Sequence, residues 1–123
     1  MSQNTVTIGG QITVVNAGLK SIISLTDSFV TTGSNSITNN ATISTSSWVV
    51  IDQGSNTNYR YGFYSNLSAT SSIKIGVNTS ASYSTYLEPG DVAIIPASGS
   101  VIIYATATSG DLNPILQYVL VEA

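Results

Sequence analysis

The sequence has no cysteine and no histidine. The first absence excludes a disulfide framework and a thiolate metal site. The second removes the commonest general base and the commonest transition-metal ligand. Charge is scarce as well. Asp, Glu, Lys and Arg make up 7% of the 123 residues, against about 25% in an average soluble domain. Only three residues are basic and the net charge is −3, which argues against a nucleic-acid partner, because phosphate binding needs a basic patch. No apolar run approaches the ~20 residues of a membrane-spanning helix. The opening residues Met1 to Asn4 carry neither a basic nor an apolar signal-peptide region, so the expectation is a chain made in the cytoplasm without standard secretion.

Ser, Thr and Asn fill the gap, together more than a third of the chain. Disorder does not follow, because Val, Ile, Thr and Tyr recur at strand spacing throughout, and disordered sequences lack them. The composition points to a β-protein whose outer faces carry hydroxyls and amides in place of charges. Such a surface suits an assembly, where unpaired charge is costly to desolvate.

The clearest stretch is Leu87 to Ala107. Pro89-Gly90 predicts a type II turn, with proline presetting φ and glycine taking the positive φ. The strand Val92 to Ile95 follows and Pro96 stops it, since proline has no N–H for the ladder. Ser98-Gly99-Ser100 turns the chain. Val101, Ile103, Ala105 and Ala107 then share one face of an extended strand, and Ile102, Tyr104, Thr106 and Thr108 the other.

Earlier in the chain, Thr5 to Ile8 and Gln11 to Val15 alternate about Gly9-Gly10, which predicts a hairpin turning at the glycines and ending at Asn16-Ala17-Gly18. Leu19, Ile22 and Ile23 fit a helical turn; Ile23, Leu25 and Asp27 fit a strand equally well. Thr31 to Ser47 is either a long loop that orders against a partner or a strand with a Ser/Thr outer face. Trp48 to Ile51 has no polar face and predicts a buried strand. Tyr59, Tyr61 and Phe63 alternate against Arg60, Gly62 and Tyr64, and Ile73, Ile75 and Val77 place Lys74 outward.

The last strand, Ile115 to Glu122, is apolar on both faces: Ile115, Val119 and Val121 on one, Leu116, Tyr118 and Leu120 on the other. A strand at a protein surface normally keeps one polar face. Two apolar faces predict two covers, the second being either the other sheet's loops or, as the favoured reading, another subunit. Leu116, Tyr118 and Leu120 are the expected interface residues. The whole pattern predicts an all-β protein of one domain, 1–123: an antiparallel, jelly-roll-like β-sandwich of about eight short strands.

Candidate chemistry is thin. Glu88 and Asp91 flank a turn, Asp52 and Asp111 sit beside turn residues, and no calcium-loop spacing occurs. No catalytic residue, metal or cofactor is expected. Trp48, Tyr59, Tyr61 and Tyr64, with Tyr83 and Tyr86, could form a stacking platform for a glycan, or serve as core and interface.

The second half, Trp48 to Ala123, resembles small structural proteins of tailed-bacteriophage virions. The resemblance is carried by Tyr64-Ser65-Asn66-Leu67-Ser68-Ala69-Thr70, Ile73-Lys74-Ile75-Gly76, Leu87-Glu88-Pro89-Gly90-Asp91, Ile103-Tyr104-Ala105-Thr106-Ala107 and the Leu116 to Glu122 terminus, in that order. It implies a non-enzymatic β-sandwich located on a virion, as a capsid decoration (cement) protein or a head-fibre or tail component. The implied partners are other copies of the chain, as a homotrimer, and the major capsid protein or another virion protein. A carbohydrate-binding adhesin module using the aromatic residues is the alternative.

Overall fold

The computed structural model describes residues 4–31, 36–54, 59–96 and 101–122. Among these the protein is all-β, with ten strands, every pairing antiparallel and no helix. The chain divides into two compact units, Met1–Ser34 and Asn35–Ala123.

The first unit is a hairpin of β1 (Asn4–Asn16) and β2 (Leu19–Thr31). The expected turn at Gly9-Gly10 is corrected. Both glycines lie inside β1, paired with Thr26 and Leu25. The chain reverses at Ala17 and Gly18, which take φ of 49° and 84°. Two successive positive φ values make a type I′ turn, whose twist matches that of the flanking strands. The helical alternative at Leu19 to Ile23 gives way to a strand, in register from Asn16↔Leu19 to Asn4↔Thr31.

The second unit is a β-sandwich. One sheet runs β3 (Ser36–Thr42), β10 (Ile115–Glu122), β5 (Tyr59–Asn66), β8 (Val92–Pro96). The other runs β4 (Val49–Val50), β9 (Ile103–Ala107), β6 (Ile73–Val77), β7 (Thr85–Leu87). The region Thr31 to Ser47 thus supplies an edge strand, β3. One core lies between the sheets: Tyr64, Leu116, Tyr118 and Leu120 from the first join Ile73, Ile75, Leu87, Ile103, Ala105 and Ala107 from the second, together with Ile43 and Ile51 beside the strands.

The alternation expected for β6 and β9 is observed. Ile73, Ile75, Ile103 and Ala105 are buried while Lys74 and Tyr104 are half-buried. The Pro89-Gly90 turn forms as well, with Gly90 at φ 87° and the Asp91 N–H donating to the Glu88 carbonyl at 2.9 Å. The Ser98-Gly99-Ser100 turn lies outside the described residues. Trp48 to Ile51 departs from expectation: only Ile51 is buried, and Val50 is exposed.

Asn66, fully buried, ties the sandwich together. Its Nδ2 donates to the carbonyls of Ser71 (2.9 Å) and Leu87 (3.1 Å), and its Oδ1 accepts from the Ser68 N–H (2.9 Å). Its own N–H donates to the Asp91 carbonyl, and its carbonyl accepts from Gly90 N–H. Asp111 clamps the loop that follows. Its carboxylate accepts from the Ser68 hydroxyl, from Thr70 Oγ1 at 2.7 Å and from the Ala69 N–H at 2.8 Å. Those hydroxyls, Ser68 first and then Thr70, hold the Asp111 carboxyl down from 3.8 to about 2. A folded-state value below the unfolded one means the clamp stabilises the fold above about pH 4 and is lost as pH falls toward about 2. In pH-resolved urea titrations, Asp111→Asn is expected to be less stable than the native protein at pH 7. The gap should close over that acid window.

Candidate assembly surface

The register places the outer face of the β3-β10-β5-β8 sheet residue by residue. Directly paired residues share a face, so Thr38, Val119, Phe63 and Ile94 form one row across all four strands. Val121, Tyr61 and Pro96 form the row on one side of it, and Asn40, Gln117, Ser65 and Val92 the row on the other. Phe63 is 36% exposed, Ile94 39% and Val92 61%, while Val119, Val121 and Tyr61 are half-buried. No member of these three rows carries a charge. The face is an apolar stripe bordered by hydroxyls and amides, the composition of an interface centre with its polar rim.

The expected interface residues lie on the opposite side. Leu116, Tyr118 and Leu120 each have 0% exposure and face the second sheet. The second sheet of the same chain covers them, so no other subunit reaches them. The other face of β10 carries Ile115, Val119 and Val121, which are half-buried. Strand β8 is also apolar on both faces, with Val92 and Ile94 outward and Ala93 and Ile95 inward.

The six aromatic residues proposed for a glycan do not form one platform. Tyr64 is buried, its ring lying over Gly62, where an added Cβ would clash with the phenol. Tyr61 sits on the outer face just described. The side chain of Tyr59 lies outside the described residues. Trp48, half-buried, immediately precedes β4 of the other sheet, and its ring lies near the Gly76 backbone. Tyr86 of β7 and Tyr83, in the loop before that strand, are exposed, their ring centroids 5.8 Å apart and tilted by 51°, with Lys74 Nζ 5.2 Å from the Tyr83 ring centre.

The acids hold turns. Asp52 Oδ1 accepts from the Gly54 N–H (2.8 Å), Asp91 Oδ2 from the Glu88 N–H (3.0 Å), and Asp111 clamps residues 68–70. Sequence reasoning missed the roles of Asn66 and Asp111. Their partners are up to 43 residues away, and nothing local marks them. Comparison with protein families, curated proteins and solved structures found no match to this chain.

Proposed function

We propose that the chain is a non-enzymatic structural protein of a tailed-bacteriophage virion, a capsid decoration (cement) protein that forms a homotrimer and docks on the capsid surface. The observation that carries this reading is the uncharged apolar row Val119, Phe63, Ile94 on the outer face of a folded sandwich. Contact with a protein surface buries such a row without desolvating any charge, and the polar uncharged border supplies neutral hydrogen-bonding groups around it. The sheet order also supports a jelly-roll reading. In sequence, β3 to β10 switch between the β3-β10-β5-β8 and β4-β9-β6-β7 sheets at every step but β6 to β7, as two interlocked Greek keys require.

The test is co-sedimentation with empty heads of tailed phage. Ile94→Asp and Val119→Asp place a charge on the stripe and not in the core, so the fold is kept. Each is expected to weaken binding at least tenfold, about 1.4 kcal/mol. Binding that survives both substitutions removes this face from the account.

The exposed Tyr83–Tyr86 pair favours a second reading, a carbohydrate-binding adhesin module, because tyrosine faces stack on sugar rings. Glycan-array binding that disappears in Tyr83→Ala and Tyr86→Ala would select it. A blank array for the native protein would remove it.

A further inference from the structure

The outer face of the β4-β9-β6-β7 sheet differs in character from that of the first sheet. Ile73 and Ile75 of β6 and Ile103 and Ala105 of β9 are buried, so the side chains of Lys74, Tyr104 and Thr106 point away from the core. The register sets Lys74 between Tyr86 and Thr106, and it pairs Gly76 with Tyr104. At Gly76 the outer face of the strand is covered. A Cβ there would clash with the carbonyls of Thr79 and Ser82 and would touch the Trp48 ring. The residue 79–82 loop therefore lies down on β6 at that glycine, and Tyr83 follows it directly. Trp48, Tyr83, Tyr86 and Tyr104 thus border one patch of the sheet, and Lys74 is the only charged residue among these positions.

We infer that this patch binds an anionic sugar, one carrying a carboxylate, whose ring stacks on Tyr86 and whose charge pairs with Lys74. The inference rests on the carbohydrate-binding reading above, and it names the charge of the ligand and the residue that selects it. Lys74 Nζ lies over the Tyr83 ring, 5.2 Å from its centre, within the ~6 Å at which a ring face attracts an ammonium. That contact holds the charge at the patch and occupies one face of Tyr83. The Tyr86 ring, 44% exposed, stays open beside it. Tyr86 is also the cross-strand partner of Lys74, so a sugar ring stacked on it lies within reach of the ammonium. The chain as a whole carries a charge of −3 and repels anions, so an anion held here is held by local contact and not by the overall field. The apolar row proposed to dock on a capsid lies on the outer face of the other sheet, so docking leaves this patch free.

The test is an array of matched glycans, each present as a neutral parent and again with a terminal sialic or uronic acid, probed with the full-length protein. The native protein is expected to bind the acidic members at least tenfold more strongly than their parents. Lys74→Gln is expected to remove that preference, and Lys74→Arg, which keeps the charge, to retain it. Tyr86→Ala is expected to lose both kinds of binding. Urea unfolding of each variant checks that the fold is kept. Equal binding of acidic and neutral members overturns the inference and leaves the carbohydrate reading standing. So does a preference for the acidic members that survives Lys74→Gln. Acidic binding that survives Tyr86→Ala shows attraction of charge without a stacked ring, and overturns it as well. A blank array removes the carbohydrate reading and this inference with it.

Discussion

Replacing Asn66 with alanine is expected to cost roughly 3–5 kcal/mol, a large share of the 5–15 kcal/mol by which a domain of this size is stable. The side chain is fully buried and makes three hydrogen bonds to backbone groups. Alanine leaves the carbonyls of Ser71 and Leu87 and the N–H of Ser68 without those partners, each at about 1–3 kcal/mol and not fully additive. Asn66→Asp keeps the acceptor but loses both donors and buries a charge, so it is expected to be no better than alanine. The single tryptophan, Trp48, belongs to the same unit and gives the fluorescence signal for urea unfolding. A loss below about 1 kcal/mol for Asn66→Ala would refute this role.

Tyr118→Ala is expected to cost about 3–5 kcal/mol through the cavity it opens. Tyr118 has no exposed surface and shares an inward row with Asn39, Tyr64 and Ala93. Its hydroxyl donates to the Asp52 carbonyl at 2.9 Å. Tyr118→Phe keeps the ring and loses that bond, and is expected to cost only about 1 kcal/mol. Burial, together with the nearby Asp52 charge, pushes the Tyr118 phenol above the usual 10.0. A raised folded-state value means that this phenol's contribution is present below about pH 10 and is lost as pH rises beyond the folded value. Thermal scans of the native protein and Tyr118→Phe at neutral and alkaline pH measure both effects. If the phenylalanine variant loses as much as the alanine variant, the hydrogen bond dominates and the packing account fails.

Much of the fold was legible because strand period and turn chemistry are local. Pro89-Gly90 announced its turn, and the alternation through Val101 to Ala107 and Ile73 to Val77 gave the buried faces directly. Pairing was not legible. Strands β8 and β9 follow one another in sequence yet lie in different sheets, a choice made by packing. The hairpin turn was misplaced because Gly9-Gly10 looked like the stronger reversal signal, whereas Ala17 takes a positive φ that alanine seldom adopts. For β10, alternation showed which residues share a face but not which face is covered, since both faces are apolar, and for β5 the inward face is the one that carries Gly62, Tyr64 and Asn66 rather than the more apolar Tyr61 and Phe63. That ambiguity put Leu116, Tyr118 and Leu120 at an interface when they are core, and it hid Phe63, Ile94 and Val119. The segments that carry the virion resemblance meet around Asn66, where the residue 64–70 segment, the residue 87–91 turn and the start of β10 exchange backbone hydrogen bonds. These motifs build the sandwich, while the candidate surface lies on the outer face of one sheet.

The central claim is that this chain is built to assemble. The mass of the purified full-length protein, measured by light scattering after gel filtration, tests it most directly. The account predicts three times the 12.8 kDa chain, about 38 kDa, in a closed symmetric oligomer. A single 12.8 kDa species at every concentration would contradict it.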